Sequence, residues 1–464
     1  MTKPFARLFL RKTASGLAAG LLALSVATAG IAPAAAQQRA VPVVRDAEIE
    51  ALVREYAQPI LGAAGLAQSG IDIILVNSGT FNAFVAGRRM FLHTGALATS
   101  ETPNEIIGVI AHEAGHIAGG HQQRLREQLA RAQTIAVVAA VVGVGAGIAA
   151  SRSGTSGGGA AGAGLAMGGA EMARRSLLSY QRTEEATADR AAIDYLEATG
   201  QSARGMLRTF ERFQGALALS GAQVDPYQLS HPMPRERIQN LQTLAQASRH
   251  FDRRDPDGLQ LRHDLARAKI AAYTMGQGAV QRLFRNDPQG LPARYGDAIQ
   301  TYLYGNPAQS LQKIDALIQA APNNPYFHEL RGEALIRANR PADAVGAFER
   351  ALQVDPNRSG LIQVGLGQAL VAVGTPEALR RAVGELQAGL GRNKEFANGY
   401  RYLAQAYGMT GNVPEAELAT AESHFHAGSF HEARVFAARA QQKMPTGSPG
   451  WLRAQDIINF REPG

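Results

Sequence analysis

A turn-forming triplet recurs at a fixed distance in the second half of this chain, and that recurrence limits the fold more than any other feature. Ala321-Pro322-Asn323 returns as Asp355-Pro356-Asn357, 34 residues on. Gly332-Glu333-Ala334-Leu335 returns as Gly367-Gln368-Ala369-Leu370, and more weakly as Ala404-Gln405-Ala406-Tyr407. Ahead of Pro356 lies Ala342-Asp343-Ala344-Val345-x-x-Phe348-x-x-Ala351-Leu352, with apolar and small residues at helical spacing. A unit of this length holds two short helices, neither able to bury its apolar face alone. The region is therefore predicted to stack helix pairs into an all-α superhelix. A generic helical bundle would not need the period. The register drifts to 35 and then 37 residues, with Gly374-Thr375-Pro376 as a turn in that stretch.

The rest of the 464 residues reads differently. Apolar spacing predicts a helix from Asp46 to Gly65. Strands are predicted at 71–76, 81–85 and 90–92, the last two joined by a turn at Gly87-Arg88-Arg89. Thr102-Pro103-Asn104-Glu105 is a helix start, with a capping Thr and Pro at the first position. That helix is expected to run to about Arg131. Another is expected from Ala170 to Thr199, a shorter one ending near Gly215, and an amphipathic one from Arg235 to Ser248. The polar, turn-rich segment 250–258 marks a domain boundary. The organisation expected is a leader over 1–36, an α+β domain over 37–250 and a helical repeat domain over 251–464.

The leader reading rests on Lys3, Arg7, Arg11 and Lys12, followed by the short apolar run Leu17–Ile31 and by Ala34-Ala35-Ala36. This is the pattern of a cleaved secretory signal; an uncleaved anchor is the alternative. Losing those four charges takes the formal net charge from +8 to +4. The positive balance is thus a poor argument for a nucleic-acid partner, and none is expected. The chain has no cysteine. Disulfides, thiolate catalysis and cysteine-ligated metals are excluded.

The chemistry sits in His112-Glu113-Ala114-Gly115-His116. Residues four apart share a helix face, so both imidazoles can reach one cation, with Glu113 beside them to hold a water and take its proton. A five-residue pattern arises by chance, and a surface pair of histidines is the bland reading. The apolar flank Ile106–Ala111 argues for a buried helix, where such groups need partners. A catalytic zinc needs a third protein ligand. His121 mimics the third histidine of the metzincin pattern but falls nine residues after His112, where that pattern needs ten. It is read as a helix-surface or supporting group. The better source is Glu184-Glu185-Ala186-Thr187-Ala188-Asp189. Glu185 and Asp189 lie four apart; one can ligate zinc while the other accepts a ligand histidine's free N–H.

Two further stretches carry open readings. Thr134 to Ala150 is apolar and Gly-dotted, and could be plain core, a membrane-surface or substrate-side element, or a short membrane span. Ser151 to Gly169 is rich in Ser, Gly and Ala and is expected to be a mobile loop. In Ser230-His231-Pro232, His231 could donate to a developing oxyanion or fill zinc's fourth position; a simple turn is the structural alternative.

HExxH, a downstream Glu-x-x-Ala-Asp helix, a Ser-His-Pro-x-x-x-x-Arg segment and 34-residue repeats of the tetratricopeptide type together resemble the gluzincin peptidases related to HtpX and the CaaX prenyl endopeptidases. The likeness covers essentially the whole chain after the leader. It implies an α+β gluzincin domain followed by a tetratricopeptide superhelix, and one zinc per chain held by His112, His116 and Glu185. It assigns Glu113 to catalysis, gives weight to His231 and Arg237, and leaves Asp189 as a supporting carboxylate. Asn82-Ala83-Phe84 and Thr94-Gly95 resemble the family's substrate-edge strand and the turn after it. Thr187 departs from the acid usual at its position. The loop at 151–169 would lie over the active site. The resemblance further implies a periplasmic endopeptidase acting on misfolded or stalled outer-membrane β-barrel proteins, with the repeats docking to their assembly machinery. The alternative is a chaperone or scaffold with a normally closed site. Peripheral membrane contact through 134–150 is a further expectation.

Overall fold

Four short strands and the helix that starts at Pro103 position everything that follows. The chain is described by a computed structural model over residues 42–152, 158–220, 227, 230–232 and 234–462; the expected leader lies outside that set. Strands β1 (Val43–Val44), β2 (Asp72–Val76), β3 (Ala83–Ala86) and β4 (Arg89–His93) form one sheet in the order β1-β2-β4-β3. β2 and β4 are parallel, pairing Asp72 with Arg89 through Val76 with His93. β3 and β4 form an antiparallel hairpin, with Gly87 at φ +61° where a side chain would be strained. Strand β1, only two residues long, was beyond the reach of sequence periodicity. β3 ends the sheet on one side.

Helix α1 (Ala47–Ala63) is capped by Asp46, whose side chain accepts from the Ile49 amide. Helix α2 (Thr94–Thr99) follows β4. Helix α3 (Pro103–Gly119) carries the HExxH motif and is buried along most of its length, from Pro103 to His116. It stops short of the expected Arg131. Gly120 adopts a left-handed φ of +66°, and its N–H closes on the His116 and Ile117 carbonyls. The glycine pair 119–120 is a helix terminator, and a new helix, α4 (His121–Arg152), begins beyond it.

The expected loop at 151–169 is another correction. Helix α5 (Gly158–Ala198) begins at Gly158, twelve residues before the predicted Ala170; residues 153–157 lie outside the described set. At Gly169 the missing side chain serves close helix packing. A Cβ at Gly169 would overlap Ala139 of α4, and Arg124 meets Glu184 at 2.7 Å, so α4 and α5 run antiparallel side by side. Nor is 134–145 plain core, since Val137, Val141 and Val144 are all more than 60% exposed.

Helices α6 (Arg204–Ser220) and α7 (Arg235–Gln246) close the first core, which joins Ile60, Leu75, Leu97, Ile110, Phe210 and Leu241. Asn104 ties α6 to α3, donating to the Ser202 carbonyl at 2.7 Å and accepting from the Gly205 amide at 2.8 Å. Helix α8 (Asp257–Thr274) lies past the expected boundary but gives Ala266 and Ile270 to this core and Leu265 and Ala271 to the next.

On α8, His263 is fully buried between the Tyr56 hydroxyl (3.1 Å) and the Ser100 carbonyl (3.0 Å). Its Nε2–H donates to the carbonyl and its Nδ1 accepts from the tyrosine. Burial pulls its pKa down to about 4. Between pH ~6.5 and 4 the unfolded chain binds a proton that the folded chain refuses, so stability falls as pH drops through that window. The expected loss is about 2–3 kcal/mol from this residue. Urea melts across pH 4–7 should show it, and His263→Gln should flatten the slope; an unchanged slope would rule the assignment out.

The remaining helices are paired. After α9 (Ala279–Leu283) come α10 (Leu291–Tyr304) with α11 (Pro307–Ala320), α12 (Pro325–Arg337) with α13 (Pro341–Val354), and α14 (Gly360–Val373) with α15 (Pro376–Arg392). Then follow α16 (Ala397–Met409) with α17 (Val413–His426), and α18 (Phe430–Gln441) with α19 (Pro449–Asn459). Prolines 307, 325, 341, 376 and 449 sit in the first turn, where no N–H is required. The recurring glycines mark contact points within pairs. Gly332 lets the Phe348 ring of α13 lie on α12, and Gly367 does the same for Leu386 of α15 on α14.

Candidate active site

A missing side chain brings the two ligand-bearing helices together. A Cβ at Gly115 of α3 would come within 3.0 Å of the Ala188 carbonyl oxygen of α5, so the helices touch backbone to side. That approach sets Glu185 and Asp189 over His112 and His116. All four are buried, as are Glu113, His231 and Arg237.

The donor atoms form a compact set. Nε2 of His112 and Nε2 of His116 are 3.0 Å apart. Glu185 Oε2 lies 3.4 Å from the first and its Oε1 3.4 Å from the second. Nδ1 of His231 is 3.3 Å from His112 Nε2 and 3.0 Å from Glu185 Oε1. Ligands about 2.0–2.1 Å from a tetrahedral zinc stand roughly 3.3 Å from one another. Three imidazoles and a carboxylate at that mutual spacing therefore fit zinc, and His231 stands as the fourth donor. Its other nitrogen, Nε2, is 3.4 Å from Glu113 Oε1. Both Glu113 oxygens are buried without a hydrogen-bond partner among the described residues, an arrangement that is costly unless a water or substrate group is received there.

Each donor is held from behind. His112 Nδ1 lies 3.0 Å from Asp189 Oδ1, which fixes its tautomer. Burial alone would lower the His112 pKa, but Asp189 and Glu185 overcome it and raise it to about 9. Burial lowers that of His116. Burial would raise Glu185, yet hydrogen bonds from the three histidines hold it far below the usual carboxylate range. Asp189 is likewise lowered against its burial, by Arg237. That guanidinium grips Asp189 twice, Nε at 2.6 Å and Nη2 at 2.8 Å, and reaches Glu185 with Nη1 at 2.8 Å. The same Nη1 donates to the Pro232 carbonyl at 3.0 Å, which anchors the segment bearing His231.

Of the two readings of His121, a helix-surface or a supporting group, the structure fits the second. That residue is buried at the start of α4, its Nδ1 2.8 Å from His116 Nδ1 and its Nε2 2.8 Å from Glu184, which also pairs with Arg124. Glu184 thus supports His116 through His121, where Asp189 supports His112 directly, an arrangement hidden in the sequence because the turn at Gly120 redirects the chain. Gln122 was not singled out either. Its amide donates to the Val85 carbonyl and accepts from the Gly87 N–H at 3.0 Å, so it occupies the free edge of β3 at the place a peptide strand would pair. Thr187 faces away from the donors, bonded only to the Thr183 carbonyl of its own helix.

Residues 44–245 match the model of peptidase family M48, and with this donor set that part of the chain is a zinc metallopeptidase domain of the M48 type. Among curated proteins, it is 23% identical over 411 residues to the beta-barrel assembly-enhancing protease of Escherichia coli (strain K12), spanning 88% of this chain and 82% of that one. A putative beta-barrel assembly-enhancing protease of Vibrio cholerae is 25% identical over 42% of this chain and 39% of its own length. Metalloprotease YcaL of Escherichia coli (strain K12) is 32% identical over 30% of this chain and 48% of its own. Among solved structures, one of MamA overlaps 35% of this chain and 90% of its own at 19% identity, with a TM-score of 0.28, too low to argue from.

Proposed function

We propose that this chain is a periplasmic endopeptidase that removes stalled or misfolded outer-membrane β-barrel proteins, exported through a leader at 1–36, and that His231 keeps its site closed at rest. The observation that carries the peptidase reading is the four-donor cluster with, beside it, the buried Glu113 carboxylate, which accepts no hydrogen bond among the described residues. The client class is supported by the resemblance to proteins named for β-barrel assembly. The peptidase domain is assigned to 37–250 and the client- or machinery-docking repeats to 251–464.

A zinc held here by His112, His116 and Glu185 would supply a Lewis acid to polarise the peptide carbonyl and acidify the attacking water. Glu113 accepts the water's proton and returns it to the leaving amine. His231 must swing away to admit the substrate, after which Tyr227 and Arg237, which now flank it, bound the vacated space. Gln122 must likewise release the β3 edge.

The closed geometry also favours a second reading, a chaperone or scaffold whose peptidase site seldom opens. Complementation of a deletion strain separates the two. A peptidase predicts that wild type restores outer-membrane protein levels and that Glu113→Gln does not. Full rescue by Glu113→Gln, lost on deleting 251–464, would replace the first reading with the second.

A further inference from the structure

Helices α4 and α5 project a surface built the wrong way round for water. Along α4 the residues turned toward α5 are small: Ala132, Ala136, Ala139 and Gly143 are the less exposed positions of their stretch. Ala173 and Gly169 answer them from α5. The large apolar side chains point outward. Ile135, Val137, Val138, Val141, Val142 and Val144 are 44–67% exposed, and Met167 and Met172 on α5 reach 75% and 67%. A helix pair in water places its large apolar residues inside. Small residues inside and large ones outside is the packing of helices surrounded by lipid. The apolar 18-residue window within His121–Gly145 is only 6% buried, so it is no core helix.

The charge pattern says how deep the pair would go. No charged residue stands between Arg131 and Arg152. At the lower end of the apolar surface, exposed arginines gather on both helices: Arg126 and Arg131 on α4, Arg174, Arg175 and Arg182 on α5. Two glutamates oppose them there, Glu127 and Glu171, the latter paired with Arg175 at 2.8 Å. From Arg131 to Gly145 the helix rises roughly 20 Å, more than the ~15 Å half-thickness of a bilayer's hydrocarbon.

We propose that the α4–α5 pair inserts into one leaflet of an anionic phospholipid bilayer, valines among the acyl chains and arginines at the headgroup phosphates. A hydrophobic protein client is the rival occupant. It would not account for the small-in, large-out packing or for the arginine collar. The proposal stands apart from the peptidase reading, because Glu113 and the metal donors take no part in it.

Flotation with vesicles of phosphatidylethanolamine and phosphatidylglycerol tests it. The full chain is expected to float, and the triple variant Val138→Asp/Val141→Asp/Val142→Asp to lose binding about tenfold or more, given the cost of charge among acyl chains. Removing the collar with Arg131→Gln/Arg174→Gln/Arg175→Gln should abolish the preference over phosphatidylcholine vesicles. Wild type left at the bottom of the gradient, or a triple variant floating equally well, overturns the proposal. A second readout does not depend on the triple variant folding. The chain has no cysteine, so Val141→Cys takes a single environment-sensitive dye. Its emission should shift to the blue with these vesicles. An unshifted emission with vesicles, or a shift produced only by an unfolded outer-membrane protein, also overturns it.

Discussion

Glu113→Gln is expected to keep about one zinc per chain and to slow peptide hydrolysis by about 10²–10⁴-fold, the usual worth of a positioned general base. Gln matches Glu in shape, and the metal donors are on His112, His116, Glu185 and His231, so the binding set is untouched. What is lost is the proton acceptor. Both Glu113 oxygens are buried and make no hydrogen bond among the described residues, and the basic group beside them is His231 Nε2 at 3.4 Å. The comparison belongs in a His231→Ala background, where the fourth donor no longer blocks the substrate. His231→Ala alone should raise casein or peptide cleavage over wild type. Metal analysis and a quenched fluorescent peptide read both results. Equal turnover with Glu or Gln at 113 would end the mechanism, and a fall in activity with His231→Ala would recast that residue as an oxyanion donor.

Arg237→Ala should be the most damaging change outside the metal donors. Its guanidinium compensates two buried carboxylates at once, Asp189 and Glu185, and lies over the Phe210 ring at 5.0 Å. Removing one member of a buried ion-pair network costs about 3–5 kcal/mol, because the remaining charges stay buried without a partner. Two consequences should appear together. The thermal midpoint should fall, and zinc affinity should drop as Asp189 no longer steadies His112. Arg237→Lys should recover little of either, since an ammonium cannot make the paired contact with both Asp189 oxygens. Wild-type melting and zinc retention in Arg237→Ala would show that the network is ornamental.

Much of the centre was legible because helical spacing is a local rule. His112 and His116, like Glu185 and Asp189, are four apart on helices their own neighbourhoods specify, and the structure places both pairs face to face. The repeats were legible for the same reason: a period survives loss of identity. Misreadings came where one composition serves two structures. Periodicity carries the helix past Gly119-Gly120, but a glycine pair at the end of an apolar run is a terminator. The glycines of Ser151–Gly169 suggest a loop, yet glycine on a helix face also admits a close neighbour, as Ala139 against Gly169 shows. His121 could not be placed without knowing that the chain turns at Gly120. For 134–145 the sequence leaves core, membrane surface and span open together, since apolar residues in sequence do not say what covers them.

Helix α5 has a mechanical consequence. It is one unbroken helix from Gly158 to Ala198, with Glu185 and Asp189 near one end. About 40 Å of helix separates Gly158 from Glu185. The contact of Ala188 on Gly115 acts as a fulcrum. A tilt of 10° there would swing the far end, about 45 Å from the fulcrum, by about 8 Å while moving the backbone at Glu185 by less than about 1 Å. The far end is thus the long arm of a lever and the metal ligands the short one. A small load at the distant tip arrives at Glu185 as a large force over a small distance.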